Sequence, residues 1–196
     1  MKRLGFDLIL LGAPASGKNT QAVFLMKKYK LKPVESGKYW RKLLKDKTRI
    51  GAWVRRTTGI GRPAPIPLMK KFLLDQVKNL PKDRDLIFIG NPRLKPEAQL
   101  LNKLLQKQKH EYLVLYINIP VKDVYTRSLY RIRVQGEDRP EYIKNRLDYH
   151  KKQVSKTVKY FKMHKKLVFI NGKQNISKVS KDIQQAINDY QKSLGN

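Results

Sequence analysis

The sequence LILLGAPASGKNT at residues 8–20 joins an apolar run to a glycine-containing turn and a lysine. With the two residues before it, Phe6 and Asp7, the run to Leu11 predicts a buried strand, and a helix is predicted from about Lys18 to Tyr29. Four residues separate Gly12 from the pair Gly17-Lys18, which is the spacing of a Walker A loop in its strand–loop–helix context. Loop N–H groups can surround nucleotide phosphates, and Lys18 can reach the β and γ oxygens. An ordinary turn would not need a cation at a helix N-terminus, so the stretch predicts phosphate binding.

Further strand patterns alternate with helical patterns along the rest of the chain. They lie at Pro33 to Ser36, Leu86 to Ile89, Tyr112 to Ile117 and Leu167 to Ile170. Such alternation is typical of a parallel sheet covered by helices on both faces. The fold class expected is therefore α/β, a three-layer sandwich with about five parallel strands and the phosphates at the C-terminal ends of the strands.

Length and composition narrow the class of protein. The 196 residues fit one domain, and the apolar run at residues 8–11 is far shorter than a membrane span. Residues 1–3 are followed by no signal-peptide pattern, so we expect a soluble cytoplasmic protein without a membrane partner. The absence of cysteine excludes disulfides, cysteine-based zinc sites and thiol catalysis, and three scattered histidines do not form a metal site. Nothing in the sequence marks an oligomer interface, which favours a monomer.

The net charge is +29, from 44 basic against 15 acidic residues. A positive field of this size attracts nucleic acid, anionic lipid and phosphorylated ligands alike. The lysines are spread over the whole length, and no RNA-binding signature with interleaved aromatic residues is present. A nucleic-acid partner and a generally lysine-rich composition therefore stay open as explanations.

The phosphate loop resembles that of the adenylate kinase family, whose pattern is GxPGxGKGT. The resemblance aligns Thr20 with the family's threonine, and it places Ala15 and Asn19 where the family has glycines. It implies ATP as phosphoryl donor and Mg²⁺ near Thr20, held through phosphates and waters. The ATP-binding candidates in the loop are Gly12, Ala15, Ser16, Gly17, Lys18, Asn19 and Thr20.

Two further segments resemble the family's site for a nucleoside monophosphate. Residues 34–41, VESGKYWR, are similar to ISTGDxLR, and residues 89–93, IGNPR, are similar to DGFPR. An arginine fork suits bidentate recognition of phosphate, which agrees with an arginine as the acceptor clamp. A weaker match at residues 61–64 implies a loop over the acceptor nucleotide. The acceptor-binding candidates are Ser36, Gly37, Arg41, Arg62, Ala64, Gly90, Arg93, Glu97 and Arg146.

Glu97 stands where similar adenylate kinases carry the glutamine that reads the acceptor adenine. A carboxylate only accepts hydrogen bonds, so it should face the donors of a base. Adenine offers its amino group, whereas guanine offers N1–H and N2–H, so AMP is expected first and GMP second. The alternative is structural, because an acidic residue just after Pro96 also suits the start of a helix.

The resemblance places arginines around a short lid at residues 131–140. Arg127 would lie beside the donor base, and Arg131 and Arg146 would surround the transferring phosphoryl group. The lid is of the short type, so no zinc is implied. A further lid arginine of the family aligns with Gln135, with Arg133 or Arg139 as the alternatives. Gln174 follows the last predicted strand and resembles the family's cradle for the donor adenine.

Two acidic residues of the family are missing. Ile89 stands at the end of the DGFPR strand and Lys38 in the TGDxLR segment, and both losses affect the magnesium shell. Phosphates and Thr20 could still hold the metal, with Asp138 or another carboxylate assisting. An inactive nucleotide-binding relative with an RNA or ribosomal partner is thus the alternative to an active kinase. The retained lysine and arginines favour the kinase, and small-molecule kinases of the shikimate or gluconate type would not explain the acceptor segments.

We therefore expect one nucleoside monophosphate kinase domain that transfers a phosphoryl group reversibly from ATP. Lys18, Arg93, Arg131 and Arg146 are its expected catalytic residues. The core is expected at residues 1–35, 66–130 and 141–196, and the acceptor-binding insert at residues 36–65.

Overall fold

The computed structural model of the protein describes residues 1–78, 80, 82–129 and 140–195. Its sheet has five parallel strands in the order β2-β3-β1-β4-β5. The strands are β1 (Asp7–Gly12), β2 (Leu31–Val34), β3 (Asp85–Ile89), β4 (Tyr112–Asn118) and β5 (Leu167–Asn171). The predicted α/β class and the strand number are confirmed.

Helices connect the strands and continue beyond β5. They are α1 (Lys18–Lys28), α2 (Ser36–Leu44), α3 (Arg49–Arg55), α4 (Ile66–Lys78), α5 (Lys95–Lys107), α6 (Val121–Leu129), α7 (Pro140–Tyr149), α8 (Ser155–Met163) and α9 (Ile176–Leu194). A 3₁₀ turn covers Thr58–Ile60, and a π-helical segment, His150–Val154, joins α7 to α8. The extended piece predicted at Pro33 to Ser36 lies earlier, because Ser36 already begins α2.

The alternating side chains of β1 enter two apolar layers. Leu8 and Leu10 pack on one face of the sheet with residues of α1 and α9. Ile9 and Leu11 pack on the other face with residues of α4, α5 and α8. Successive side chains of a strand point to opposite faces, so a strand that is apolar throughout must be covered on both sides. These layers form the three-layer sandwich.

Strand register brings the segments that follow β1, β2 and β3 to one edge of the sheet. Leu10 is paired with Ile89, and Val34 with Phe88. On the other side of β1, Gly12 is paired with Ile117. The chain order reverses at β1, whose neighbours are β3 and β4, and such a switch point is where open parallel sheets bind ligands.

No helix in the described part of the chain is long and apolar enough to cross a membrane. The described residues also contain no cluster of three or more His, Cys, Asp or Glu side chains that could hold a metal ion. The predicted lid at residues 131–140 lies outside the described residues except for its last residue, Pro140.

Candidate active site

The loop between β1 and α1 is shaped by a close approach to β4. Gly12 has a φ of 144°, and a Cβ added there would lie 2.4 Å from the Ile117 carbonyl oxygen. Any larger residue would therefore push the loop away from the sheet. Ala15 also lies in the left-handed region, with a φ of 56°, where a side chain is strained. The resemblance had placed a glycine of the family at Ala15, and the backbone conformation explains why glycine suits this position.

Lys18 is folded over the loop that precedes it. Its Nζ donates to the carbonyl oxygens of Gly12 at 2.9 Å and Ala13 at 2.6 Å, and to Ser16 Oγ at 3.1 Å. The ammonium group is thereby held at the mouth of the loop, among oxygens that phosphate oxygens can replace. Three residues of the predicted loop, Gly12, Ala13 and Ser16, thus hold this cationic group.

The side chain of Asn19, where the family has glycine, connects this loop to the segment after β2. Asn19 Nδ2 donates to Glu35 Oε1 at 3.1 Å, and the same oxygen lies 3.5 Å from an Arg41 nitrogen. Glu35 was not predicted as a site residue, and the signal for it is only its place at the end of β2. The Glu35 carboxylate thus links Asn19 of the donor loop to Arg41, an acceptor-binding candidate.

Ser36 begins α2 at the same edge of the sheet. Its Oγ is buried and has no hydrogen-bond partner among the described residues. A buried polar atom without a partner is unfavourable, so a ligand or a water is the natural partner. Gly37 follows in the first turn of the helix, and Arg41 lies in its last turn.

Arg93 is held where β3 runs into α5. Its Nε donates to the Gly90 carbonyl oxygen at 2.7 Å, and its own carbonyl oxygen accepts from Thr157 Oγ1 at 2.7 Å. Thr157 belongs to α8, so that helix fixes the turn from behind. The turn positions a guanidinium group at the end of the sheet.

Glu97 is only 1% exposed, and its carboxylate caps the same turn. Its Oε2 accepts from the backbone N–H groups of Arg93 at 2.7 Å and Leu94 at 3.2 Å. Burial raises the pKa of Glu97 above its ordinary value, although these N–H donors oppose the rise. These contacts are those expected from the alternative interpretation, in which Glu97 has a structural role at the start of a helix. A role of Glu97 in reading the acceptor base stays a prediction without a contact that supports it.

An open cavity lies between these segments. It brings together five predicted site residues: Gly12, Lys18, Gly90, Arg93 and Arg146. The three cations come from the donor loop, the turn after β3, and α7. Such convergence of positive charge suits a group that carries several negative oxygens, as a phosphoryl group does.

Tyr149 and His150 also line this cavity, and sequence reasoning missed both. They lie where α7 enters the π-helical segment, more than fifty residues from Arg93, so no local motif marks them. Burial, with Lys18, Arg93 and Arg146 nearby, lowers the pKa of His150 to about 4. The imidazole is therefore neutral at pH 7.

Other candidates lie outside the lining of this cavity. Both terminal nitrogens of Arg127 lie 3.4 Å from the Gly172 carbonyl oxygen, in the segment after β5. Gln174, in the same segment, donates to the Asn171 carbonyl oxygen at 3.1 Å. Arg62 is exposed and Ala64 buried in the loop before α4. Arg131 and the lid positions Arg133, Gln135 and Arg139 lie outside the described residues.

Comparison with known proteins matches the chain to a family along most of its length. The family model described as "Adenylate kinase" matches residues 10–166. An adenylate kinase of Azobacteroides pseudotrichonymphae is 30% identical over 183 residues, which cover 92% of this chain and 96% of that protein. An adenylate kinase of Bacteroides fragilis is 28% identical over 184 residues, with 92% and 97% covered.

The matched region contains the phosphate loop, the acceptor segments and the cavity with its three cations. A relative from Mycoplasma mobile, also named adenylate kinase, is 26% identical over 217 residues. The family model and these relatives agree with the chemistry of the cavity. The chain therefore belongs to the adenylate kinase family and is an enzyme that transfers a phosphoryl group to a nucleoside monophosphate.

Proposed function

We propose that the protein transfers the γ-phosphoryl group of ATP reversibly to AMP, with GMP as the second candidate acceptor. The observation that carries this proposal is the cavity in which Lys18 of the donor loop meets Arg93 and Arg146. The relatives named adenylate kinase support ATP and AMP as the substrate pair. A single chain suffices for the proposed site, which favours a monomer.

Each side of the cavity has a separate task in this proposal. Lys18 and the N–H groups of residues 12–20 hold the donor phosphates. Arg93 and Arg41 hold the acceptor phosphate, with the buried Ser36 hydroxyl as a further donor. Arg146 neutralises charge on the group in transfer. No general base is needed because the acceptor is already a phosphate anion. A similar role for Arg131 stays a prediction.

Magnesium fits the oxygen groups at the first turn of α1. The Thr20 side chain is exposed there, and the Glu35 carboxylate is bonded to the adjacent Asn19. Mg²⁺ commonly binds through one or two such oxygens together with substrate phosphates and several waters. When bound with ATP, the metal would neutralise charge on the β and γ oxygens. The Ile89 side chain offers no oxygen ligand. We therefore assign the Glu35 carboxylate, which lies beside the first turn of α1, to the metal's water shell.

Two substitutions separate the donor side from the acceptor side of the proposed site. Lys18→Ala should lower kcat at least about 100-fold, because one preorganised charge on the transferring group has an effect of that order. Arg93→Ala should raise the KM for AMP strongly while the KM for ATP changes little. The measurement is the initial rate of ADP formation at varied ATP and AMP.

Arg84→Ala is the matched control, because Arg84 is an exposed arginine that bonds to Asp83 away from the cavity. Its kinetic constants should equal those of the unmodified protein. Unchanged AMP kinetics in Arg93→Ala would contradict the proposed acceptor clamp.

A further inference from the structure

Two polar side-chain atoms are buried beside the phosphate cavity without a protein partner. They are the Tyr149 hydroxyl and His150 Nε2, for which the described part of the chain provides no hydrogen-bond partner. Both residues line the cavity that contains Lys18, Arg93 and Arg146, with these two atoms buried beside it. An unpaired buried hydroxyl destabilises the protein that carries it, so its presence requires an explanation.

The Tyr149 hydroxyl faces an environment that keeps its proton in place. Burial raises the pKa of this phenol and the nearby Glu97 carboxylate adds to the rise, whereas Arg93 and Arg146 oppose it. The group is therefore a neutral donor at physiological pH. Tyr149 also stands three residues after Arg146, at the junction with a π-helical segment. Such segments inside helices frequently occur at functional sites.

We propose that the Tyr149 hydroxyl binds substrate by donating a hydrogen bond to the acceptor phosphate between Arg93 and Arg146. The inference rests on the proposed function, which supplies a phosphate at this position. A phosphate monoester presents three terminal oxygens, and two arginine forks leave room for a further donor. A neutral hydroxyl adds a directed bond without further positive charge in a cavity that already holds three cations.

Tyr149→Phe removes only the oxygen atom, and Tyr112→Phe is the matched control. Tyr112 is also a buried phenol, but its hydroxyl donates to Asn102 Oδ1 at 2.6 Å, and Tyr112 pairs with Asp7 at the end of the strands opposite the cavity. Binding of AMP and of adenosine, which lacks the phosphate, is measured by titration calorimetry for the unmodified protein and both variants. Thermal melting of the ligand-free proteins is measured alongside.

The two variants should change different properties of the protein. Tyr149→Phe should weaken AMP binding about tenfold, as the loss of a hydrogen bond to a charged group does. It should leave adenosine binding unchanged and the melting temperature equal or higher. Tyr112→Phe should melt at a lower temperature and bind AMP normally.

Unchanged AMP binding by Tyr149→Phe would overturn the inference and leave a buried water as the partner of the hydroxyl. A melting temperature lowered as in Tyr112→Phe would overturn it too, because the hydroxyl would then have a structural partner. If the unmodified protein neither bound AMP nor transferred phosphate to it, the proposed function itself would fail, which is a different result from failure of the variant alone.

Discussion

Asp7 is a buried carboxylate at the first residue of β1, at the end of the strand opposite the cavity. Its Oδ1 accepts from the Leu86 N–H at 2.7 Å, and its Oδ2 lies 3.3 Å from His110 Nδ1. Burial raises its pKa to about 6, in spite of these partners. The folded protein therefore holds the Asp7 proton more tightly than the unfolded chain does.

This shift predicts a definite pH dependence of stability. Between pH 4 and pH 6 the folded state carries the extra proton, so the Asp7 contribution to the free energy of unfolding decreases as pH rises. Asp7→Asn keeps the acceptor for Leu86 and removes the ionisation. The variant should therefore gain stability relative to the unmodified protein by roughly 2 kcal/mol over this range, and the difference should level off above it.

Urea unfolding at several pH values measures this difference, with Asp123→Asn, a half-buried aspartate near the start of α6, as control. A difference between Asp7→Asn and the unmodified protein that stays constant from pH 4 to pH 7 would show that Asp7 keeps an ordinary pKa in the fold.

At the scale of whole elements, the predicted acceptor-binding insert packs against α7 through residues 60 and 61. Asn145 Nδ2 donates to the Ile60 carbonyl oxygen at 2.9 Å. Gly61 has a φ of 81°, and a Cβ added there would lie 2.6 Å from the Tyr142 carbonyl oxygen. The same helix carries Arg146, so the packing of the insert affects the position of a proposed site residue.

Gly61→Ala should disturb this contact for two reasons, the left-handed backbone and the clash with Tyr142. We expect a loss of roughly 1–3 kcal/mol in stability and a several-fold higher KM for AMP. Gly59→Ala is the control, because its Cβ would lie 3.2 Å from the flexible end of Leu44 and at ordinary contact distances from Val54 and Arg55. Thermal melting and AMP kinetics that are the same for both variants would disprove the contact.

The sequence predicted the strands and helices well where their patterns were strong. The apolar runs that became β3 and β4 were predicted within one residue at each end, because a strand buried on both faces is apolar throughout. The loop lysine and Arg93 were predicted because phosphate binding requires them in fixed motifs. Element ends were less certain, and β2 lies two residues earlier than predicted.

What the sequence did not reveal depends on contacts between distant segments. Tyr149 reaches the cavity through the path of α7 and a π-helical segment, for which no sequence pattern exists. Glu35 gains its place from Asn19 and Arg41. Glu97 was aligned with a base-reading residue, yet its carboxylate is bonded to backbone N–H groups. Alignment identifies a position, whereas only the packing shows what the side chain contacts.

For the whole molecule, the net charge of +29 is consistent with anionic substrates and does not require another partner. A positive field raises the local concentration of ATP and AMP as well as of polyanions. The family match over residues 10–166 favours a kinase over an inactive relative that binds RNA. Neither the described residues nor the comparisons supply a feature that supports nucleic-acid recognition.

The central claim is phosphoryl transfer through the cavity that Lys18, Arg93 and Arg146 line. Its most direct test is ADP formation from ATP and Mg²⁺ with AMP, GMP, CMP and UMP offered separately, beside the Lys18→Ala variant. We predict rapid transfer to AMP, slower transfer to GMP at most, and a loss of at least about 100-fold in the variant. Binding of ATP without transfer to any acceptor, or equal transfer by Lys18→Ala, would contradict the account.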